Sequence, residues 1–257
     1  MRAAYVTQTF PRHSHEGFAV GVIEDGALGF TYRGENVVAP AGAINLANPD
    51  EPHTGYAAVE AGWTYRMFYL EAEWLQQAAS QMADRAQAMP FFQAGVLYDC
   101  QLAAEIRSLH ASLEDGGLTE IEQESRFLSL LSRLVGRHAD APPSVRGPAP
   151  ERHAVRRVRD HIQTHFSEAI SLADLAALAR LSPYHLLRVF HMEVGMPPHA
   201  YLTQVRIRKA RELLGCGWSI AAVAQETGFV DQSHLSRAFK RLTGVTPGQY
   251  RKIVQDP

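Results

Sequence analysis

From residue 151 onward, apolar residues return every three or four positions, the spacing of helices that each bury one face. Short turns interrupt the pattern, which predicts helices near residues 151–166, 172–179, 183–194, 198–214, 220–227, 232–242 and 246–253. Local punctuation supports these limits. Ser171 and Ser219 stand where a side-chain oxygen caps a first turn, Gly195 and Gly244 where a helix ends in the left-handed conformation, and Pro198 and Pro247 near the first turn of the next helix. The first 70 residues follow another rule. Runs such as GFAVGVIEDG, GFTYRGENVVAPAG and WTYRMFYL are rich in Gly, aromatic and β-branched residues with turn signals between them, and predict a β sandwich or barrel of short strands. From Glu73 the pattern is helical again. Leu102, Ile106, Leu109 and Leu113 form one stripe, and TEIE at Thr119–Glu122 has the form of a capping box. Such a stripe packs inside its own domain or against a second copy of the chain.

One segment occurs twice. HLLRVFHMEVGMPPHAY, beginning at His185, shares His, Leu, Arg, Phe, Gly, Pro and Tyr at equivalent places with HLSRAFKRLTGVTPGQY, beginning at His234. On a helix Leu186 and Phe190 lie one turn apart, as do Leu235 and Phe239, so these pairs form the buried side. Arg188 and Arg237 lie two residues from the leucines, about 200° around the helix, and face away from the core. Tyr184 and Leu187 are expected to project with the first arginine, and Gln232, Ser233 and Ser236 with the second. Each copy follows a short helix and a tight turn. Ala176 and Ala224 permit close packing, and Gly228 supplies a positive φ. The result is two helix-turn-helix units, whose second helices fit a DNA major groove and whose arginines suit a guanine edge. The connector PHAYLTQVRIRKARELL is expected to be a helical rod that sets the spacing of the two, with Arg206, Arg208, Lys209 and Arg211 as cations along it.

Charge sharpens the division. The net formal charge is −2, yet residues 1–140 hold 9 Lys and Arg against 18 Asp and Glu, whereas residues 151–257 hold 15 against 9. A basic half favours a polyanionic partner if its cations share a face. The proline-rich DAPPSVRGPAP between the halves reads as a semi-extended linker. The two cysteines, Cys100 and Cys216, support neither a disulfide framework nor a cysteine zinc site and are expected to be buried thiols. No apolar run approaches membrane-spanning length and the start lacks the pattern of a signal peptide, so a cytoplasmic protein without membrane association is expected.

The block IAAVAQETGFVDQSHLSRAFKRLTGVTPGQYR, residues 220–251, resembles the AraC/XylS family of bacterial transcription regulators, and the likeness extends over roughly residues 152–253. It implies a DNA-binding domain of two helix-turn-helix motifs joined by a central helix, with base-reading positions at Tyr184, Leu187, Arg188, Gln232, Ser233 and Arg237, and Ser236 on the same face. Leu187 departs from the polar residues often found there, which points to a thymine methyl contact or to no base contact. PRHSHEGFAVGVIEDGALGFTYRGENVVAPAGAINLANPDEPH looks like the cupin effector-binding domain of the same family, a small β barrel with a ligand cavity followed by dimerising helices.

His13, His15 and His53 resemble the metal-binding pattern of cupin oxygenases. Those enzymes commonly place a glutamate four or five residues after the second histidine, where this chain has Ala19 and Val20, and Glu16 would point to the opposite face of a strand. The histidines are therefore expected to be barrel or pocket-rim residues, with a three-histidine metal site as the alternative. His13, His15, Tyr32, His53, Trp63, Tyr65 and Arg66 are the candidate effector contacts. No catalytic residue, metal or cofactor is assigned.

The expected fold is α+β in two domains: a cupin-like β barrel with trailing dimerisation helices at 1–140, a linker at 141–151 and an all-α double helix-turn-helix domain at 152–257. The expected function is sequence-specific DNA binding under control of a small-molecule effector. Its partners would be double-stranded DNA, the effector, a second copy of the chain and, for an activator, RNA polymerase. The alternative is a cupin-type metal-binding sensor or metalloenzyme domain fused to a DNA-binding module.

Overall fold

The computed structural model describes residues 1–145 and 151–255, so residues 146–150 of the expected linker lie outside the described residues. The described residues divide into two compact units, residues 1–114 with 127–145, and residues 115–126 with 151–255.

The first unit is built on eight strands: β1 (Arg2–Tyr5), β2 (Phe10–His13), β3 (Phe18–Tyr32), β4 (Glu35–Pro40), β5 (Ile44–Ala47), β6 (His53–Ala57), β7 (Trp63–Leu70) and β8 (Val96–Leu97). Strand β3 is central and antiparallel to each of its neighbours. Its first half pairs with β5 and β7, and its second half with β4 and β6. It thus belongs to two sheets, and the chain must bend between them. The ladder register shifts between Ile23 and Asp25, and Gly26 follows at φ +69°. A bulge beside a glycine is the usual device for such a bend. A side chain at Gly26 would meet the carbonyl oxygen of Gly62 at 2.0 Å. The Glu24-Asp25-Gly26 sequence, which reads as a turn between short strands, is therefore a bend inside one long strand. The next turn is a true hairpin, with Arg33 and Gly34 both at positive φ between paired Tyr32 and Glu35.

Inside the resulting barrel, Ile23, Leu28, Phe30, Tyr32, Trp63, Tyr65 and Met67 are packed in one core. Helices α1 (Ala72–Ala83), α2 (Cys100–Glu114) and α3 (Glu120–His138) follow. On α2 the residues Leu102, Ile106 and Leu109 are buried, whereas Leu113, expected on the same stripe, is exposed near the end of the helix. Arg137 and His138 of α3 both reach Asp99 at 3.0 Å, and Arg133 pairs with Glu105. The backbone N–H of Leu102, followed by His138 and Arg137, holds the Asp99 carboxyl well below the usual carboxylate range.

The second unit contains α4 (Arg152–Thr164), α5 (Leu172–Ala179), α6 (Pro183–Val194), α7 (Pro198–Gly215), α8 (Ile220–Glu226), α9 (Gln232–Thr243) and α10 (Pro247–Gln255). Each predicted helix is present with ends shifted by two residues or fewer. The Ser171 hydroxyl accepts from the Asp174 N–H in a full capping box, and that of Ser219 accepts from Ala222. Ser182 and Asp231 cap α6 and α9 in the same way. Gly195 and Gly244 are left-handed at φ +80° and +82°. Two expectations are corrected. Cys100 and Cys216 are exposed, because each lies at a helix terminus rather than on an inward face. Arg206 is 4% exposed, so it is not one of the surface cations of the connector.

Candidate nucleic-acid interface and effector cavity

Helices α5 and α6 form one helix-turn-helix unit, and α8 and α9 the other. In both, the first helix contributes a small buried residue, Ala176 or Ala224, and the second a fully buried pair, Leu186 with Phe190 or Leu235 with Phe239. The turns differ in chemistry. Arg180 takes the left-handed conformation at φ +58° after α5, and Gly228 takes it at φ +71° after α8. At Gly228 a side chain would lie 2.6 Å from the Ser167 carbonyl oxygen, so this turn requires glycine on steric grounds as well.

Burying those pairs orients the rest of each second helix. Gln232, Ser233 and Arg237 of α9 are exposed and Ser236 is half-buried. On α6, Tyr184 and Arg188 are half-buried, with the guanidinium 5.5 Å from the centre of the Tyr184 ring. Leu187, expected from sequence to project with them, is instead buried at 7% exposure. Three residues along a helix is about 300°, which puts Leu187 only about 60° from Phe190 and within the apolar stripe. His234, common to both copies as His185, is buried in α9 with its ring edge-on to Phe229 at 5.1 Å. Burial, reinforced by nearby Arg237 and Arg206, lowers its pKa to about 4.

The connector α7 has 18 residues, a rod of roughly 27 Å. Arg206 turns inward from it and donates to the carbonyls of Phe166 at 2.7 Å and Glu168 at 2.9 Å. Arg211 lies 5.4 Å from the Tyr250 ring centre, and Lys209 pairs with Glu212 at 2.9 Å. Arg208 lines a shallow groove with Gln204 and Arg211.

The first unit contains a cavity of about 80 Å³, lined among others by His13, His15, His53, Trp63, Tyr65 and Tyr69. The register explains how the histidines meet. His13 stands directly opposite His53 across the β2·β6 ladder, and His15 follows His13 at the two-residue spacing that returns to the same face. Their ring centroids are 4.5–5.0 Å apart. Burial lowers the pKa of His15 and of His53, and for His15 the neighbouring imidazoles add to the effect.

Two of the seven expected effector contacts lie elsewhere. Trp63, Tyr65 and Met67 alternate inward along β7, so Arg66 faces the other side, where it binds Glu24 at 2.8 Å and also Glu114. Tyr32 is packed in the core, where its hydroxyl donates to the Phe92 carbonyl and accepts from Asn48 at 2.6 Å. Conversely, Asn45 lines the cavity and was not anticipated. Its Oδ1 and the Nε1 of Trp63 are buried without a hydrogen-bond partner. An alternating strand shows which residues face inward but not which of them lack partners.

The barrel with a histidine-lined cavity, joined to two helix-turn-helix units, defines a class: a ligand-binding domain coupled to a DNA reader. Residues 1–131 match the AraC-like ligand binding domain family, and residues 175–253 match the helix-turn-helix domain family. The HTH-type transcriptional regulator YbfI of Bacillus subtilis is 31% identical over 90% of this chain and 82% of its own length. The regulatory protein PocR of Salmonella typhimurium is 32% identical over 46% of this chain and 39% of its own, so the chain spans well under half of that relative. Among solved structures, the C-terminal domain of AraT, a response regulator from Geobacillus stearothermophilus, is 36% identical, with a TM-score of 0.38 and coverage of 42% of this chain and 88% of that one. The chain belongs to the AraC family of helix-turn-helix transcription regulators, and is a DNA-binding transcription regulator with a ligand-binding domain. Among the described residues, no helix is long and apolar enough to cross a membrane.

Proposed function

We propose that this regulator reads double-stranded DNA with α6 and α9, principally through Arg188 and Arg237, and that a small polar effector in the barrel cavity controls it. The observation that carries the reading is the equivalence of the two arginines. Each lies two residues after a fully buried leucine on the second helix of its unit, about 200° around from it, which leaves Arg237 exposed and Arg188 half-buried beside Tyr184. Tyr184, Gln232, Ser233 and Ser236 flank them, while Arg208 and Lys209 supply phosphate contacts. The unpartnered Trp63 Nε1 and Asn45 Oδ1 favour an effector with both an acceptor and a donor, because each buried polar group costs about 1–3 kcal/mol while unpaired.

The regulator acts in the cytoplasm as a homodimer, with the helices after the barrel supplying the contact between copies. The effector changes which pair of half-sites the two DNA readers reach together, through their effective concentration on the duplex. RNA polymerase is a further partner where the effect is activation. The relatives are transcriptional regulators, and no catalytic role is assigned.

Fluorescence anisotropy with duplexes tiled across the upstream region of its own gene and across the promoters of neighbouring genes tests the reading at two salt concentrations. Tight, salt-sensitive binding to a particular tile, weakened by Arg188→Ala and by Arg237→Ala, is expected. Binding that neither substitution changes would remove the assignment of the reading faces.

A further inference from the structure

Among the described residues, His13, His15 and His53 alone form a group of three metal-ligating side chains, with ligand nitrogens all within 4.8 Å of one another. We propose that these imidazoles hold a divalent transition-metal ion at the cavity wall, leaving a coordination position for an oxygen- or nitrogen-donor anion.

The hydrogen bonds around the rings prepare them for this. His13 Nδ1 lies 2.8 Å from the Pro11 carbonyl oxygen, and His53 Nδ1 lies 2.9 Å from that of Glu51. A carbonyl only accepts, so in both rings Nδ1 carries the proton and Nε2 keeps its lone pair for a ligand. A backbone acceptor behind one ring nitrogen is the outer-shell support that fixes the tautomer and orientation of a ligating imidazole. With metal–nitrogen bonds of about 2.0–2.1 Å, tetrahedral ligands stand roughly 3.3 Å apart, so side chains with ligand nitrogens within 4.8 Å of one another must rotate inward to close on an ion. The ladder holds His13 and His53 opposite each other while the side chains rotate.

Ligand chemistry selects both the ion and its fourth partner. Imidazole suits zinc, copper and nickel, and among the described residues no carboxylate belongs to the group. Three neutral ligands leave the ion its full double charge in a half-buried wall, and an anion entering from the cavity relieves that charge. The anion's role as effector rests on the proposed function. Metal binding by the three histidines does not.

The full-length protein, stripped with a chelator, is titrated with Co²⁺ and followed by visible absorption, with bound metal quantified after dialysis against Zn²⁺. About one ion per chain is expected, with Co²⁺ bands shifted by azide as a probe anion. His13→Gln and His53→Gln should each weaken binding by more than the roughly 10–100-fold that loss of an outer-shell partner costs. The double variant His161→Gln/His165→Gln removes the stacked pair at the C-terminal end of α4, 4.3 Å between rings, and should retain the metal. Circular dichroism and DNA binding verify that each variant is folded. Metal lost with DNA binding intact assigns the site independently of the regulator reading. Occupancy below about a tenth of an ion per chain, or metal retained by the His13 and His53 variants, overturns the site, and Co²⁺ bands unmoved by azide overturn the open position.

Discussion

Arg206 donates from Nε to the Phe166 carbonyl at 2.7 Å, so a cation from the middle of the connector helix anchors the chain between α4 and α5. A second bond, from Nη2 to Glu168, completes a clamp on backbone oxygens, and no carboxylate pairs with the guanidinium among the ion pairs of the described residues. Burial lowers its pKa to about 10, still far above neutrality, so the cation persists. Arg206→Ala leaves two carbonyls unpaired and opens a gap beside Phe229, whose ring centre lies 5.9 Å from the guanidinium. A loss of roughly 2–5 kcal/mol in denaturant unfolding of the C-terminal unit is expected. A variant with unchanged stability but a shallower salt dependence of DNA binding would instead make Arg206 a phosphate contact.

The burial of Leu187 separates two kinds of defect on one helix. Arg188→Ala should cost roughly 1–3 kcal/mol of sequence-specific binding and only the smaller stability, about 0.5–1 kcal/mol, of its contact with Tyr184, and Arg237→Ala should cost the same binding on α9. Leu187→Ala should cost roughly 2–5 kcal/mol of stability, as other buried leucines do, and should reach DNA affinity only through the folded fraction. Melting curves alongside anisotropy separate the two. Normal stability of Leu187→Ala with altered base preference would return Leu187 to the reading surface.

The helical half was legible in the sequence because each of its signals is local. Ser171, Ser219, Gly195 and Gly244 act within one helical turn, and the Leu–Phe pairs mark the buried side unaided. Leu187 and Arg206 were misread for a common reason. Both lie where the width of the buried side, rather than its centre, decides exposure, and that width depends on neighbours distant in sequence. In the barrel half, the bend at Asp25–Gly26 looks like a turn because bulges and turns use the same residues. The meeting of His13 with His53 follows from a strand register that no local pattern encodes, and His15 joins them from two residues beyond His13.

Gly26 is therefore a sensitive test of the barrel. At φ +69° any side chain is strained, and a Cβ would meet the Gly62 carbonyl oxygen at 2.0 Å, a backbone atom that moves only if β7 moves. Gly26→Ala should destabilise the first unit by several kcal/mol, about 1 kcal/mol from the conformation and the rest from the clash. Gly34 also has positive φ, at +84°, but open space around it, so Gly34→Ala should cost only the conformational part, about 1 kcal/mol. Comparable losses in the two variants, read from denaturant midpoints, would show that β3 passes the bend without needing the close approach.

Acid should weaken the C-terminal unit at a pH where most carboxylates are still ionised. His234 has its pKa lowered from 6.5 to about 4, first by burial and then by Arg237 and Arg206, and its Nδ1 lacks a partner. His199 is lowered to about 4 by burial and then by the nearby Arg126 and Arg241. Between these values the unfolded chain binds protons that the folded unit refuses, so unfolding takes up protons and stability falls as pH falls. The loss begins near pH 6.5, reaches about 2 kcal/mol per histidine at pH 5 and levels off below about pH 4. Denaturant midpoints between pH 7.5 and pH 4.5 measure it. His234→Leu keeps an apolar contact to Phe229 and removes one titrating group, so about half of this slope should disappear even if the variant is less stable at pH 7.5. An unchanged slope in His234→Leu would mean that His234 already accepts its proton in the folded state, and that the acid sensitivity arises elsewhere in the chain.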